Sequence, residues 1–290
     1  MKKLFGVLFS VVFLALMATA TDRPIFLPKL YIHQETPKEK NSHENKSGNP
    51  SVFFQSIDEN VPIAVKKVKA ESLVAVRVGI PHWEDDKGMH HDFFYGAGFV
   101  PSGWDGYVLT CLHVAGSHPA NWVGESYPLI VQVFDGQETF DAKMVSFNPY
   151  ADLALLKVTT TSPSGKNFTS KPAPIAEKTV GDPANPLPEK FYAIFFVPDH
   201  PSVYLTLQIG PLGVVTNALN VGIIRLGILQ GVVEHGFSGG PVLAPSGVVM
   251  GMITKTSPAF SYMVLVETMN AFLIESKRIL EEAKAKEEKK

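Results

Sequence analysis

The chain has 290 residues, 45% of them hydrophobic, enough for a sizeable core in one large domain or two small ones. Its 26 Lys and Arg nearly balance its 28 Asp and Glu, and a net charge of −2 with no basic stripe and no acidic tail gives a nucleic acid or other polyanion nothing to hold. The single cysteine, Cys111, excludes an intrachain disulfide framework, so an exported form must be stable on packing alone.

Residues 1–20 read as a signal peptide. Lys2 and Lys3 make a short basic start of bacterial type, an apolar run follows to Met17, and Ala18-Thr19-Ala20 is a small-x-small cleavage site. The run is short for a membrane span, which needs about 20 residues. The mature protein is therefore expected to be periplasmic or secreted, with no stable membrane span after cleavage. Residues 21–64 form a polar arm in which 38–49 hold almost nothing apolar. Phe53 and Phe54 are its aromatic pair, a surface for docking on the folded domain or for joining copies of the chain.

Residues 65–266 carry the folded domain. Strands are predicted over 73–80, 94–100, 107–110, 129–134 and 139–147, and in the apolar run after Asp152. A Ser, Thr, Lys and Pro-rich connection follows at 159–190, then strands at 191–197, 204–209, 213–216 and 221–229. Short strands punctuated by Gly and Pro, with no helix-length pattern before the C-terminus, predict an all-β fold. The segment 81–93 reads as a loop. It gathers His82, His90, His91 and Asp92, with Asp85 and Asp86, but loops collect polar residues and no partner cluster lies elsewhere, so no metal and no cofactor is expected. Residues 267–290 hold the one clear helix, 267–283, with Met269, Phe272, Leu273, Ile279, Leu280 and Ala283 on one face, followed by a Lys/Glu tail.

Three stretches carry the chemistry. The first is Glu234-His235-Gly236-Phe237-Ser238-Gly239-Gly240-Pro241-Val242. A serine becomes a nucleophile when a base takes its proton, and glycines let a turn present both the hydroxyl and converging amides. The plain alternative is a Gly-rich turn with an incidental Ser. The second stretch, Thr110-Cys111-Leu112-His113-Val114-Ala115-Gly116, sets His113 just after an apolar strand, whereas His118 sits in a Ser-His-Pro loop without that context. Cys111 reads as a small core residue. In the third, Asn148-Pro149-Tyr150-Ala151-Asp152-Leu153-Ala154-Leu155-Leu156, an Asp amid Leu and Ala is costly to bury unless paired. Gly236-x-Ser238-x-Gly240 also fits the nucleophile elbow of α/β-hydrolases, where the His follows the Ser; all 9 histidines here precede Ser238.

In the order His, Asp, Ser these stretches resemble the chymotrypsin-like serine proteases, and more closely their HtrA-like branch, over roughly residues 70–265. The resemblance implies two six-stranded antiparallel β-barrels with a C-terminal helix, and a serine endopeptidase acting on polypeptide substrates. It assigns His113 as base, Asp152 as its orienting partner, Ser238 as nucleophile and the amides of Gly236 and Ser238 as oxyanion hole. Val232, Val233, Ile253 and Thr254 would bind substrate; nothing acidic stands among them, so a small or medium apolar side chain is expected before the cleaved bond. An N-terminal aromatic segment mediates trimers in HtrA-like proteins, which gives Phe53 and Phe54 a homo-oligomeric role. Two departures count. No stretch is left over for a PDZ domain, and Phe237 stands where trypsin-like zymogens have Asp and HtrA-like enzymes Asn, which bears on how the Gly236 amide is aimed. A latent binding or chaperone-like protein on the same fold is the alternative from another class, and an esterase would share every site residue.

Overall fold

In this computed structural model the described residues are 61–85, 88–116, 130–177, 190–197, 200–219, 222–230, 236–256 and 260–288. The expected signal peptide and nearly all of the expected arm lie outside them. Six strands come from the first half of the chain: β1 (Leu73–Asp85), β2 (Gly88–Phe99), β3 (Tyr107–Cys111), β4 (Ile130–Phe134), β5 (Thr139–Asn148) and β6 (Leu153–Val158). They pair antiparallel in the order β1-β2-β3-β6-β5-β4, and β4 returns to β1, from Ala75 opposite Phe134 to Gly79 opposite Ile130, to close a barrel. Phe99, Leu109 and Phe140 are fully buried in its core, each contributing about 1.5–3 kcal/mol relative to an exposed side chain. Leu153 to Leu156 are all 0% exposed, so β6 loses the alternation of a half-exposed strand. The C-terminal helix packs against this strand.

The second half forms another six-stranded antiparallel sheet from β7 (Phe191–Val197), β8 (His200–Leu219), β9 (Gly222–Gln230), β10 (Pro241–Leu243), β11 (Val249–Thr256) and β12 (Phe260–Leu265), in the order β10-β11-β12-β9-β8-β7. β10 also meets β7, at Val242 opposite Ala193 and Leu243 opposite Tyr192. The expected connection between the halves runs along both sheets, bridging Ala173 to Pro101 and Ile175 to Val249. The helix α2 (Val266–Glu287) packs against β5, β6, β11 and β12 and so spans the two sheets. It buries Met269, Phe272, Leu273 and Ser276; of the rest of the expected face Leu280 is half-buried, but Ile279 and Ala283 are exposed, because the last turns of the helix hold no buried residue.

Three expectations are corrected. The segment 81–93 is not a loop: β1 and β2 stay paired out to Asp85 opposite Gly88, with a register shift between Pro81 and Trp83. Proline gives no N–H to a ladder and is tolerated where the ladder is irregular. The predicted strands 204–209 and 213–216 are one strand, β8, carried through a shift between Pro211 and Gly213. And a helix does precede the C-terminal one, α1 (Ile63–Glu71), preceded by Pro62, with Val65 and Val68 buried three residues apart. Two turns offer too few repeats for the 3.6-residue period to stand out.

Candidate active site

β5 ends at Asn148, whose Oδ1 accepts the N–H groups of Tyr150 and Ala151, both at 3.0 Å. An asparagine that bonds its own backbone two and three residues on makes a tight turn, and this one turns the chain from β5 into β6. It delivers Asp152 at φ 56°, the only non-glycine residue with positive φ among the described residues. Such a conformation costs about 1–3 kcal/mol and persists only where the surroundings over-determine it. They do so here. The Asp152 carbonyl accepts the Leu112 N–H at 3.0 Å, Oδ1 accepts the His113 N–H at 3.0 Å, and Oδ2 accepts the His113 ring nitrogen Nδ1 and the Thr254 hydroxyl, both at 2.6 Å.

His113 follows β3 on a single helical turn closed by the Ala115 N–H on the Cys111 carbonyl at 3.0 Å. Burial alone would raise the Asp152 carboxyl, but the hydrogen bond from the His113 ring, the charge of that ring, the Thr254 hydroxyl and the His113 amide outweigh it, and the group is held below the ordinary carboxylate range. An ionised carboxylate only accepts. Nδ1 therefore carries the proton, and in the neutral ring Nε2 is the free acceptor, on a side chain 44% exposed.

The Ser238 turn is set by backbone. Gly236 has φ 100° and Gly239 φ 86°. A Cβ on Gly239 would lie 2.0 Å from the Ala97 carbonyl oxygen and 2.5 Å from the Thr110 hydroxyl, and one on Gly240 2.2 Å from the Ile194 carbonyl oxygen, so only glycine fits at either place. The Gly240 N–H donates to the Phe237 carbonyl at 2.8 Å, the Gly239 N–H to the Ile253 carbonyl at 2.8 Å, the Ile253 N–H to the Gly240 carbonyl at 2.9 Å, and the Ala97 N–H to the Ser238 carbonyl at 2.8 Å. A trans peptide points its N–H opposite to its C=O, so with the Phe237 carbonyl held by Gly240 the Ser238 N–H is aimed to the other side. The Phe237 side chain, 7% exposed, joins the hydrophobic core. Ser238 Oγ donates to the Thr254 carbonyl at 3.4 Å, a long hydrogen bond.

The fold thus brings together His113, Asp152 and Thr254, and ties Ser238 to the same Thr254. Ile253, expected to line the substrate site, is 1% exposed and gives both backbone groups to the Ser238 turn; it supports the turn. Gly236 lies in the turn as expected, while Val232 and Val233 lie outside the described residues, as do the side chains of His82, His90, His91 and Asp92. Sequence reasoning missed the hydroxyl of Thr254 on Asp152, since a threonine in a strand carries no signal for a partner 102 positions away. It also missed Thr110, whose Oγ1 donates to the Ala97 carbonyl at 2.7 Å. The ligand-type atoms of Cys111, His113 and Asp152 lie within 4.8 Å of one another. Burial first, and then the charge of Asp152, push the Cys111 thiol well up, and its Sγ donates to the Ile253 carbonyl at 3.1 Å. A thiol that keeps its proton is a poor metal ligand.

Residues 96–252, more than half of the chain, match the family described as the trypsin-like peptidase domain. Among solved structures the chain is similar to the Rv3671c protease from M. tuberculosis. Against its active form the identity is 19% and the TM-score 0.54, over 73% of this chain and 83% of that one. Against its inactive form they are 18% and 0.51, over 74% and 92%. At such identities the likeness is one of fold. No curated protein sequence matches the chain.

Proposed function

This chain belongs to the trypsin-like peptidase domain family, and from that premise we propose that it is an exported serine endopeptidase of the two-barrel, HtrA-like kind, with Ser238, His113 and Asp152 as its triad. The observation that carries the reading is the His113 ring held at 2.6 Å by a half-buried Asp152 whose second partner, Thr254, also accepts the Ser238 hydroxyl at its carbonyl. Rotation of Ser238 about its Cα–Cβ bond takes Oγ from the Thr254 carbonyl toward Nε2 of His113. Nε2 removes the hydroxyl proton as Oγ attacks the scissile carbonyl. The electron pair of the C=O bond moves to oxygen, where the amides of Ser238 and Gly236 receive it. Protonated His113 then gives its proton to the leaving amine, the C–N bond breaks, and water repeats the sequence on the acyl-enzyme. Asp152 holds the tautomer and offsets the charge on the ring.

The second sheet acts as the second barrel, and the chain works in the periplasm or outside the cell after loss of residues 1–20. The arm, 21–64, provides contacts between copies. Substrates are polypeptides with a small or medium apolar residue before the cleaved bond. The test is hydrolysis of denatured casein by the full-length protein beside Ser238→Ala. The variant is expected to lose a factor of about 10⁴ or more in turnover with its melting temperature unchanged; near-wild-type hydrolysis would sink the assignment. The hydrogen bond of Ser238 to Thr254 rather than to His113 favours a second reading, a latent form. On that reading the folded wild type binds unfolded polypeptide without cutting it.

A further inference from the structure

We infer that Thr110 is a positioning residue for the nucleophile: its hydroxyl holds the backbone of Ala97 as a bracket that fixes the Ser238 turn against the strand leading to His113. The inference deepens the peptidase reading and rests on it. Thr110 is 0% exposed on β3, three residues before His113. The register between β2 and β3 consists of Phe99 opposite Leu109 among the described residues, so at Ala97 the ladder does not supply partners on that side. Two other groups do. The Ala97 carbonyl takes the Thr110 hydroxyl at 2.7 Å, and the Ala97 N–H is given to the Ser238 carbonyl at 2.8 Å. One residue of β2 thus carries a hydrogen bond in from the base-bearing strand and another out to the nucleophile.

The geometry around this residue leaves it little slack. Gly96, its neighbour, approaches so closely that a Cβ there would lie 2.9 Å from the Ser238 carbonyl oxygen and 2.5 Å from a Val114 methyl, and Gly239 lies against both the Ala97 carbonyl and the Thr110 hydroxyl. Both peptides flanking Ser238 are held: the one before it through Phe237 and Gly240, the one after it through Ala97 and through the Gly239 N–H on Ile253. Two of these fixings run to the strand that leads to His113: the Ile253 carbonyl also accepts Cys111 Sγ at 3.1 Å, and the bracket is the one made by a hydroxyl, that of Thr110, on the residue that holds the Ser238 carbonyl. Without the hydroxyl the buried Ala97 carbonyl loses its donor, and a buried acceptor without a partner drives local rearrangement. The shift moves Ala97 N–H and with it the Ser238 carbonyl, so Oγ and the Ser238 amide leave the geometry acylation needs. Misplacements of this size act on the chemical step far more than on encounter with substrate.

The experiment uses the full-length protein and a fluorophosphonate-rhodamine probe, with saturation kinetics of acylation measured on wild type, Thr110→Val and Thr110→Ser beside Ser238→Ala. Valine keeps the shape and loses the hydroxyl; serine keeps the hydroxyl and loses the methyl. The bracket predicts that Thr110→Val lowers the maximal acylation rate constant by about tenfold or more while the half-saturating probe concentration stays within about twofold. It also predicts that Thr110→Ser stays within about threefold of wild type in both. If Thr110→Val does not fold, Thr110→Ala replaces it and is compared with Thr110→Ser, since both lack the methyl and only one has the hydroxyl; a tenfold gap supports the bracket and equal rates overturn it. A wild type and a folded Thr110→Val that acylate alike overturn the inference and leave the peptidase reading standing. Absence of acylation in the folded wild type overturns the peptidase reading and the inference with it.

Discussion

Cys111 stands two residues before His113 and beside the same carboxylate, yet its surroundings make it inert. Its side chain is fully buried, and burial, followed by the charge of Asp152, raises its thiol in the folded state. In the unfolded chain the thiol titrates near the ordinary value of about 8.5. Below that pH both states keep the proton and the linkage is silent. Above it the unfolded chain releases a proton that the folded chain retains, so stability falls as pH rises toward the folded value. Denaturant unfolding of wild type and Cys111→Ala at pH 7 and pH 10 is expected to show a larger alkaline loss in the wild type; equal losses would mean the thiol is not held protonated. Asp152 works in the opposite sense. Its lowered carboxyl supports the fold above about pH 4, the ordinary value, and loses that contribution as pH falls through the folded one. The two residues share a site and oppose each other in charge preference, which keeps one negative charge, that of Asp152, opposite the His113 ring.

Among the elements, α2 and the turns carry more than their sequence suggests. α2 is fastened at two points: Asn270 Nδ2 donates to the carbonyls of Ala176 and Glu177 in the connection between the sheets, at 2.9 and 3.2 Å, and Ser276 Oγ donates to Ser146 Oγ of β5 at 2.8 Å. Ser276 is 0% exposed and Ser146 8%. Removing one hydroxyl leaves the other buried without its partner, at a cost of about 1–3 kcal/mol, while removing both can be nearly neutral. Ser276→Ala is therefore expected to lower the unfolding free energy by that amount and the double variant with Ser146→Ala to recover part of it, read by denaturant unfolding. Purely additive losses would show that the pair is not coupled. The buried face of α2 was legible at Met269, Phe272 and Leu273, which recur at spacings of three and four, but the same spacing carried on to Ile279 and Ala283, which are exposed. Ser276 was not, since a serine on an apolar face gives no sign of a partner on another strand. The pairing of β1 with β2 beyond Ile80 was hidden for a different reason: Pro81 and the polar run after it read as a loop, whereas the partner strand supplies hydrogen bonds that override local preference.

For the molecule as a whole, the motifs around His113, Asp152 and Ser238 were legible because each combines a strand end or turn with a residue that is expensive without partners. The order of the three stretches was enough to reject the α/β-hydrolase arrangement. What the sequence did not hold was the wiring between the halves and within the second one. Ala97 reaches Ser238, Ile253 reaches both Gly239 and Cys111, and Thr254 reaches both Asp152 and Ser238, all through contacts distant along the chain. Alternation and turn signals report on neighbours in sequence; Ala97 to Ser238, Ile253 to Cys111 and Thr254 to Asp152 exist only once the two sheets have been laid against each other, and Ile253 to Gly239 and Thr254 to Ser238 only once the second has formed. His113 and Asp152, the proposed base and its carboxylate, flank strands of the first sheet and Ser238, the proposed nucleophile, lies in the second half, so on this proposal a productive site requires both to be seated correctly. The central claim is that they form one activated serine. Its most direct test is fluorophosphonate labelling of the folded full-length protein, with the modified residue located by mass spectrometry, beside His113→Ala and Ser238→Ala. The account predicts probe on Ser238 of the wild type and on neither variant. A folded wild type that takes up no probe, or a Ser238→Ala protein labelled as strongly as wild type, would contradict it.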